Sequence, residues 1–236
     1  MPRRELNRYP TAAALAAACA GEFLAFVAAS SDQVTVAVSG GRIAKDFFIA
    51  VAQQAQAKGQ SLSQAHFFWA DERCVSPGDA ESNYRSAAEL LFNPMAVPAS
   101  NIHRIHGDLE PDQAAHDAEA ELCQFARLYL GNQPVLDLVL LGMGEDGHVA
   151  SLFPGETEAV MNSPAVYRAV MASKPPPRRI TLGYATIAAA REVWVLASGI
   201  GKEAALRESL APQGKTPLAR ALRERARTRI FTELAV

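Results

Sequence analysis

Short apolar segments alternate along this chain with longer stretches of helical character, and this alternation constrains the fold more than any other feature. Two examples are the β-branched segment Val34–Val38 and the apolar run at residues 137–141, each followed closely by glycines. Strands that are separated by helices of ten or more residues usually pair in parallel through crossover connections. The pattern therefore predicts an α/β fold with an open, mainly parallel sheet and helices on both faces.

Predicted elements follow from this periodicity and from the positions of glycine and proline. We expect strands at residues 34–38, 66–70, 101–106, 137–141, 192–197 and 228–232, and helices at residues 11–31, 43–56 and 111–130. Ligands of open parallel sheets bind outside the carboxyl ends of the strands. Because glycines, carboxylates and a histidine directly follow predicted strands, we expect a functional site at that edge.

The whole chain, residues 1–236, is predicted to form a single domain, since no internal repeat or low-complexity linker divides it. A domain of this size buries enough surface to be stable without disulfides. The formal net charge of −2 gives no reason to expect a nucleic acid or an anionic membrane as partner. The sequence leaves the oligomeric state open, and we favour a monomer.

The cysteines and the hydropathy of the chain indicate the cellular compartment in which it is expected to act. Cys19, Cys74 and Cys123 form no framework pattern, and their odd number argues against a disulfide scaffold. No window approaches the ~20 apolar residues of a membrane span, and the N-terminal segment lacks the apolar core of a signal peptide. We therefore expect a reduced protein in the cytoplasm. No local Cys–His signature supports Cys74 as a nucleophile.

Two glycine-containing segments lie at predicted strand-to-helix junctions, Ser39-Gly40-Gly41-Arg42 and residues 198–202. Glycines let the backbone approach a ligand closely, and free N–H groups at a helix start favour an anion such as phosphate. Residues 39–42 and Lys202 are therefore candidates for phosphate binding. A Gly-Gly turn after a strand is often only a turn, so this signal is weak when taken alone.

Polar residues at positions 71–84 follow the second predicted strand. Charged side chains at the end of a strand cost desolvation unless they find partners, so they often belong to a site. Arg73 offers a planar guanidinium suited to a phosphate or carboxylate, and Asn83 is a further candidate for substrate binding. The alternative is a surface ion pair between Arg73 and Asp71 or Glu72.

A glycine-rich loop at residues 142–155 follows the apolar run and carries Asp146 and His148. Histidine side chains titrate near pH 6.5, so His148 can remove a proton from water at neutral pH. Asp146 can orient the imidazole or stabilise the imidazolium.

Further along, a proline-stiffened loop presents Lys174 and Arg179, which together are typical of an anion-binding site. The alternative is a basic loop that is merely solvated.

Three of these segments resemble sequence blocks of the 6-phosphogluconolactonase family. Residues 142–155 are similar to its Gly-x-Gly-x-Asp-Gly-His-x-Ala-Ser-Leu-Phe-Pro-Gly block. Residues 71–84 resemble its Asp-Glu-Arg-x-Val…Ser-Asn-Tyr block, and residues 174–181 resemble its Lys-Pro-Pro-x-x-Arg-Ile-Thr block. The blocks occur in the family's order and extend over most of the chain.

The resemblance implies a fold shared with glucosamine-6-phosphate deaminases and ribose-5-phosphate isomerases. It also implies hydrolysis of 6-phospho-D-glucono-1,5-lactone to 6-phosphogluconate in the oxidative pentose phosphate pathway, with no required metal and no cofactor. We predict that His148 is the general base and that Asp146 orients it. Lys174, Arg179, Arg73 and the segment 39–42 would hold the phosphate. Backbone N–H groups of the glycine loops, with Arg73 as a further candidate, would stabilise the oxyanion.

One segment departs from the family's pattern. After Ser39, Gly40 and Gly41 the family usually continues Ser-Thr-Pro, whereas this chain has Arg-Ile-Ala at residues 42–44. Two hydroxyls that could contact phosphate are missing, together with a proline that favours a helix start. Our hypothesis is that Arg42 supplies a charged contact instead. The alternative is weaker phosphate binding and an altered substrate preference.

Two other functions remain open at this point. An amino-sugar phosphate deaminase or aldose–ketose isomerase on the same fold would share the Asp-Gly-His block but lack the other two blocks. A non-catalytic sugar-phosphate sensor would keep the pocket without turnover. The intact pair of Asp146 and His148 argues against a sensor, whereas the altered segment 39–42 leaves room for one.

Overall fold

The computed structural model describes residues 3–30, 32–126, 129–130, 132–225 and 227–236, and its elements are numbered along the chain. The central sheet contains β1 (Arg3–Arg8), β2 (Val34–Val38), β3 (Ala65–Trp69), β7 (Leu138–Gly142), β10 (Glu192–Ala197) and β11 (Arg227–Thr232). A second sheet contains β4 (Asp71–Arg73), β8 (Tyr167–Met171) and β9 (Arg178–Leu182), and a short ladder contains β5 (Tyr129–Leu130) and β6 (Gln133–Pro134). The α-helices are α1 (Ala12–Ala28), α2 (Arg42–Lys58), α3 (Asn83–Ala87), α4 (Pro111–Phe125), α5 (Glu158–Met161), α6 (Tyr184–Ala189), α7 (Glu203–Leu210) and α8 (Pro217–Arg223).

The central sheet has the strand order β1-β11-β10-β7-β2-β3, and all neighbouring strands are parallel. Crossovers between parallel strands are right-handed, so α1 and α2, which follow β1 and β2, cover one face, and the helices that connect β7, β10 and β11 cover the other. In agreement, α1 packs against α2, and α7 packs against α8. The predicted α/β fold with an open parallel sheet is confirmed.

The chain changes direction across the sheet between the neighbouring strands β2 and β7. After β2 it continues through α2 to β3 on one side, whereas after β7 it continues towards β10 on the other side. The two connections therefore leave the sheet on opposite faces and open a crevice at the carboxyl ends of the strands. Residues 39–42 and the glycine-rich loop begin at this crevice.

Burial and the capping residues of the helices explain the elements that flank the crevice. All five residues of β2 are buried, as expected for a strand covered on both faces. Helix α1 begins where the Thr11 hydroxyl accepts a hydrogen bond from the Ala14 amide (3.1 Å), and α2 ends at Gly59, which has a φ of +61°. Phe23 of α1 meets Phe47 of α2 edge to face at 5.6 Å, which joins the two helices over the sheet.

The second sheet is antiparallel, with the order β4-β9-β8, and was not predicted. A single residue, Ala70, separates β3 from β4. Its amide donates to the Val38 carbonyl (2.8 Å) and its carbonyl accepts from the Leu182 amide (2.8 Å). Ala70 therefore fastens the second sheet to the crevice side of the central sheet.

Most predicted elements are confirmed to within a few residues. The strands at 34–38 and 192–197 have the predicted bounds, and those at 66–70, 137–141 and 228–232 shift by one residue or extend by one. Helix α2 is slightly longer than predicted. Helix α1 ends at Ala28, and residue 31 at the end of its predicted range lies outside the described residues. The edge strand β1 was not predicted.

Two predictions were wrong. Residues 101–106 form no strand: a 3₁₀ turn (Ala99–Asn101) leads into a single parallel bridge between Ile102 and Phe67. The Asn101 side-chain amide donates to the carbonyls of Ser63 (2.8 Å) and Ala65 (3.2 Å). These carbonyls therefore accept from a side chain and not from the backbone of a neighbouring strand. The helix predicted to reach residue 130 ends at Phe125, and Tyr129–Leu130 pairs as β5. No helix within the described residues is long and apolar enough to cross a membrane.

Candidate active site

A small cavity of about 100 Å³ lies in the crevice between β2 and β7. Its volume is below the ~300–1,000 Å³ of pockets that enclose whole ligands, so it can enclose only part of a sugar phosphate. Residues from five separate segments line it: Ser39, Gly40, Gly41, Asp71, Arg73, Asn83, Gly142, His148, Ala150 and Arg179. Seven of them were candidates from the sequence, and the tertiary structure brings these seven together.

The imidazole of His148 forms a short contact with Asp146. Nδ1 of His148 lies 2.5 Å from Oδ1 of Asp146, whose same oxygen accepts from the His148 amide at 3.2 Å. Burial acts against ionisation of Asp146, yet the hydrogen bond with His148 and the charges of His148 and Lys174 hold the pKa of this carboxyl below its usual range. An ionised carboxylate only accepts hydrogen bonds, so Nδ1 carries the proton and Nε2 is left as the basic nitrogen.

Glycines of the loop are required by the packing around His148. A Cβ atom on Gly144 would lie 2.0 Å from Nδ1 of the imidazole. Gly147 has a φ of +76°, and a Cβ there would lie 2.6 Å from the side chain of Thr216. The loop therefore folds tightly between the imidazole and the start of α8, and the glycines that the sequence singled out make this possible.

Two guanidinium groups meet in the cavity because Arg73 of β4 and Arg179 of β9 are direct cross-strand partners. Arg73 Nη1 donates to the Glu81 carbonyl (2.7 Å) and lies 3.3 Å from the Glu81 carboxylate. Arg179 is only 5% exposed, and its Nε donates to the Pro176 carbonyl (2.9 Å). Within the described residues no carboxylate forms an ion pair with Arg179.

Burial, and then the neighbouring charge of Arg73, lower the pKa of Arg179, although Asp71 and Glu81 oppose this effect. Guanidinium groups stay protonated in proteins, so two like charges are held close together in a partly desolvated cavity. An anion bound between them would relieve that repulsion. The pair is therefore chemically suited to an anion, and its role in binding a phosphate stays a prediction.

Asn83 is positioned by the buried carboxylate of Glu72. Glu72 accepts hydrogen bonds from the amides of Arg73, Asn83 and Tyr84 (2.7–2.8 Å) and from the Ser82 hydroxyl (3.1 Å). Burial raises the pKa of Glu72, and the three backbone hydrogen bonds oppose that shift. Three of the four donors lie at the start of α3, so this carboxylate fixes the short helix against β4.

The remaining contacts of Asn83 fix its side chain in the cavity. Its Nδ2 donates to the Asp71 carbonyl at 2.9 Å. A Cβ atom on Gly40 would lie 1.8 Å from Oδ1 of Asn83. Position 40 therefore has room only for glycine, since the side-chain amide of Asn83 occupies the space that a Cβ atom would need.

Asp71 lines the cavity but was not among the candidates from the sequence. It is 4% exposed, and its Oδ2 accepts from the Ser151 hydroxyl at 2.7 Å. The same strand-end argument that selected Arg73 applies to Asp71. Its hydrogen-bond partner could not be inferred from the local sequence, since Ser151 lies 80 residues further along the chain.

The junction of β2 and α2 offers polar groups without partners. Gly41 is the N-cap of α2, with a φ of +98°, and because glycine has no side chain, no N-cap side chain accepts from the first amides of this helix. The hydroxyl of Ser39 is buried and has no hydrogen-bond partner among the described residues. Both features suit an anion at the start of a 17-residue helix.

Three other basic candidates lie around the cavity without lining it. Nζ of Lys174 is 3.5 Å from Oδ2 of Asp146. Arg42 is exposed, and a Cβ atom on Gly199 would lie 2.4 Å from its Nη2. Lys202 donates from Nζ to the Met143 carbonyl (2.6 Å), and burial, followed by the charge of Arg42, lowers its pKa. The substrate-binding roles of all three stay predictions.

No group of three or more His, Cys, Asp or Glu side chains in the described part of the chain could hold a metal ion. The expectation that no metal or cofactor is required stays a prediction.

Known proteins are similar to this chain in sequence. Residues 10–230 match the sequence model of the family described as glucosamine-6-phosphate isomerases/6-phosphogluconolactonase. A 6-phosphogluconolactonase of Aggregatibacter actinomycetemcomitans is 35% identical over 85% of this chain and 83% of its own length. That of Mycobacterium tuberculosis is 39% identical over 77% of this chain and 74% of its own length.

Solved structures agree with the sequence comparisons. The structure of 6-phosphogluconolactonase from Trypanosoma brucei superposes with a TM-score of 0.84 at 28% identity, covering 98% of this chain and 96% of that one. The resemblance inferred from three sequence blocks is confirmed. By its sequence match over most of its length, the chain belongs to the glucosamine-6-phosphate isomerase/6-phosphogluconolactonase family.

Proposed function

We propose that this chain hydrolyses 6-phospho-D-glucono-1,5-lactone to 6-phospho-D-gluconate, a step of the oxidative pentose phosphate pathway. The observation that carries the proposal is the Asp146–His148 contact in a cavity that also holds the guanidinium groups of Arg73 and Arg179. A general base beside a phosphate site suits hydrolysis of a phosphorylated lactone. Relatives that align with most of the chain's length, at 35% and 39% identity, are named 6-phosphogluconolactonases.

In this mechanism Nε2 of His148 takes a proton from a water molecule, and the water oxygen attacks C1 of the lactone. The bond between C1 and the ring oxygen then breaks, and His148 returns the proton to that oxygen. Asp146 accepts the hydrogen bond of Nδ1 throughout and stabilises the imidazolium. Backbone N–H groups of the glycine loops stabilise the oxyanion at C1.

Phosphate binding places C1 near the attacking water. Arg73 and Arg179 supply the charge, and the Ser39 hydroxyl with the first amides of α2 supplies further donors. Asn83 lines the same cavity, and Lys174 lies next to it beside Asp146. Positioning of this kind lowers the barrier because the reacting groups lose their freedom on binding rather than in the transition state.

We also propose that residues 1–236 form a single domain, which acts in the cytoplasm as a monomer and needs no metal or cofactor. Three free cysteines, Cys19, Cys74 and Cys123, support a reducing compartment. The shared core that packs α1 and α2 on the sheet supports a single domain. Analytical ultracentrifugation of the purified chain measures the oligomeric state directly.

The test of the proposed function is the rate of lactone hydrolysis by the wild type and by His148→Ala, with the spontaneous rate subtracted. General acid–base catalysis contributes roughly 10²–10⁴-fold, so kcat should fall by that factor in His148→Ala. His116→Ala is the matched control, because His116 is exposed on α4 and should leave kcat unchanged. A loss of less than about threefold in His148→Ala would remove His148 from the role of base.

Two further outcomes would refute the proposed activity itself. Release of ammonia from glucosamine 6-phosphate would identify a deaminase. Binding of 6-phosphogluconate without any acceleration of lactone hydrolysis would identify a sugar-phosphate sensor.

A further inference from the structure

A second cavity, of about 360 Å³, lies beside the loop that carries His148. Its walls are residues 153–161, residues 215–223 and Tyr184, and it shares no lining residue with the candidate active site. Its volume falls within the ~300–1,000 Å³ of pockets that bind small molecules. We call it the effector cavity.

Both walls of the effector cavity contact the part of the glycine-rich loop around His148. Phe153 packs against the imidazole of His148 with ring centroids 4.9 Å apart, and the Arg179 guanidinium lies 5.6 Å from the centre of the same ring. On the other wall, Thr216 packs against Gly147, and the Leu218 amide donates to the Gly147 carbonyl at 3.0 Å. A ligand between these walls would therefore contact two segments that hold His148 in place.

The effector cavity carries positive charge that is not neutralised. Lys215, Arg220 and Arg223 line it. Arg220 forms ion pairs with Glu158 (3.2 Å) and Glu224 (2.9 Å). Neither Lys215 nor Arg223 forms an ion pair with any carboxylate of the described residues.

The acidic side chains of the lining do not change this balance. Glu156 is paired with Arg168 at 2.8 Å, and Glu158 is paired with Arg220. Lys215 and Arg223 thus have no carboxylate partner among the described residues, although Nη1 of Arg223 also donates to the Gly214 carbonyl. The surroundings favour an anion over a neutral or cationic molecule.

The hydroxyl of Tyr184 supports the presence of a ligand independently. Tyr184 lines the effector cavity, is 2% exposed, and its hydroxyl has no hydrogen-bond partner among the described residues. A buried hydroxyl without a partner is costly, so such groups are rare in native structures. An oxygen atom of a bound anion would accept its hydrogen bond.

We infer that the effector cavity binds the phosphate group of a small phosphorylated metabolite, and that its occupancy alters the glycine-rich loop that carries His148. Lys215 and Arg223 bind the phosphate, and Tyr184 donates a hydrogen bond to it. Apolar residues such as Met161 and Pro217 contact the body of the ligand. The effect on turnover rests on the proposed lactonase function, whereas binding does not.

Titration calorimetry with inorganic pyrophosphate tests the binding. A charge-assisted contact is worth roughly tenfold or more in affinity, so Lys215→Glu should weaken binding by at least that factor. Lys58→Glu makes the same charge change at the exposed end of α2, which contributes no residue to the effector cavity, and should change the affinity by less than about twofold. Equal affinity in Lys215→Glu and the wild type would overturn the inference. A loss confined to Arg179→Ala would place the anion in the candidate active site alone and would also overturn it.

Tyr184→Phe is a second binding test that does not endanger the fold, because it removes only a hydroxyl without a partner. We expect pyrophosphate to bind roughly threefold or more weakly, while the midpoint of thermal unfolding does not fall. An unchanged affinity would overturn the assignment of this cavity.

Lactone hydrolysis then tests the coupling. Pyrophosphate should change kcat in the wild type, and Lys215→Glu should lose this sensitivity with its basal activity unchanged. Purely competitive inhibition that persists in Lys215→Glu would overturn the coupling. If no lactonase activity exists but binding still depends on Lys215, the proposed function fails and the effector cavity remains supported.

Discussion

The imidazole of His148 is held on three sides, and each contact has a different physical origin. Asp146 accepts its hydrogen bond, Phe153 packs against its ring, and Gly144 leaves the space that the ring occupies. An imidazole that is fixed in this way loses little freedom when a substrate binds, which suits the proposed role of His148 as base. The precision of the site therefore depends as much on the missing Cβ atom of Gly144 as on the charge of Asp146.

Gly144→Ala should displace the imidazole, because the added Cβ would lie 2.0 Å from the ring. We expect kcat for lactone hydrolysis to fall by roughly 10²-fold, as expected when a reacting group moves by about 1 Å. Gly78→Ala is the matched control, since a Cβ there meets nothing within 4 Å. Equal kcat values for the two variants would contradict the role of Gly144.

Arg179→Ala should act mainly on KM if Arg179 binds the phosphate equally in the ground state and in the transition state. Loss of one charged contact predicts a rise in KM of roughly 10-fold or more. Arg178→Ala is the control on the same strand, where the side chain is exposed and outside the cavity. A fall in kcat with an unchanged KM would refute the binding role of Arg179.

At the scale of elements, the site depends on β4 and α3, which are only three and five residues long. Neither element is stable by itself, since a helix this short does not form in isolation and a strand this short needs neighbouring strands. The carboxylate of Glu72 joins them by accepting from the amides and the hydroxyl at the start of α3. This buried group thereby positions Asn83 and the strand that carries Arg73.

Glu72→Gln should therefore destabilise the protein and also impair the site. The amide has one acceptor oxygen in place of two, so buried donors would remain unsatisfied at a cost of about 1–3 kcal/mol in unfolding free energy. Urea denaturation measures this loss, and KM for the lactone should rise with it. Glu89→Gln removes only an exposed ion pair with Arg85 and should cost less than about 1 kcal/mol. Similar losses in the two variants would contradict the role of Glu72.

At the scale of the whole molecule, Arg225 connects distant parts of the chain. Its buried guanidinium donates to the carbonyls of Ile187 (2.7 Å), Ala188 (2.8 Å), Ala190 (2.7 Å) and Arg191 (3.2 Å). These carbonyls lie at the end of α6 and before β10, whereas Arg225 precedes β11. Burial lowers the pKa of Arg225 to about 10.

Arg225→Met should lower the free energy of unfolding by about 3 kcal/mol or more, because several buried carbonyls lose their donor. Since Arg225 lies outside the candidate active site, kcat/KM of the folded variant should stay close to the wild-type value. The control is Arg191→Met, whose side chain is 59% exposed and forms an ion pair with Asp137. Urea denaturation that gave equal losses for the two variants would contradict this role.

The local sequence was sufficient for the elements of the central sheet and for the groups that carry chemistry. Continuous apolar segments such as β2 and β10 can be stable only when both faces are covered, so a parallel sheet with helices on both sides followed from them. His148 and Asp146 are two residues apart in a glycine-rich loop, so their contact is local. The three sequence blocks pointed to the family for the same reason, because each is a contiguous segment.

Only the tertiary structure decided the contacts between residues that are far apart in sequence. Arg73 and Arg179 face each other because β4 and β9 pair across more than a hundred residues, and Asp71 meets Ser151 in the same way. The short strands β4 and β9 have little periodicity of their own, so the second sheet could not be inferred from residue patterns. The effector cavity likewise forms where residues 153–161 meet residues 215–223. Local patterning fixes which segments can be buried, whereas pairing of distant segments fixes which side chains share a cavity.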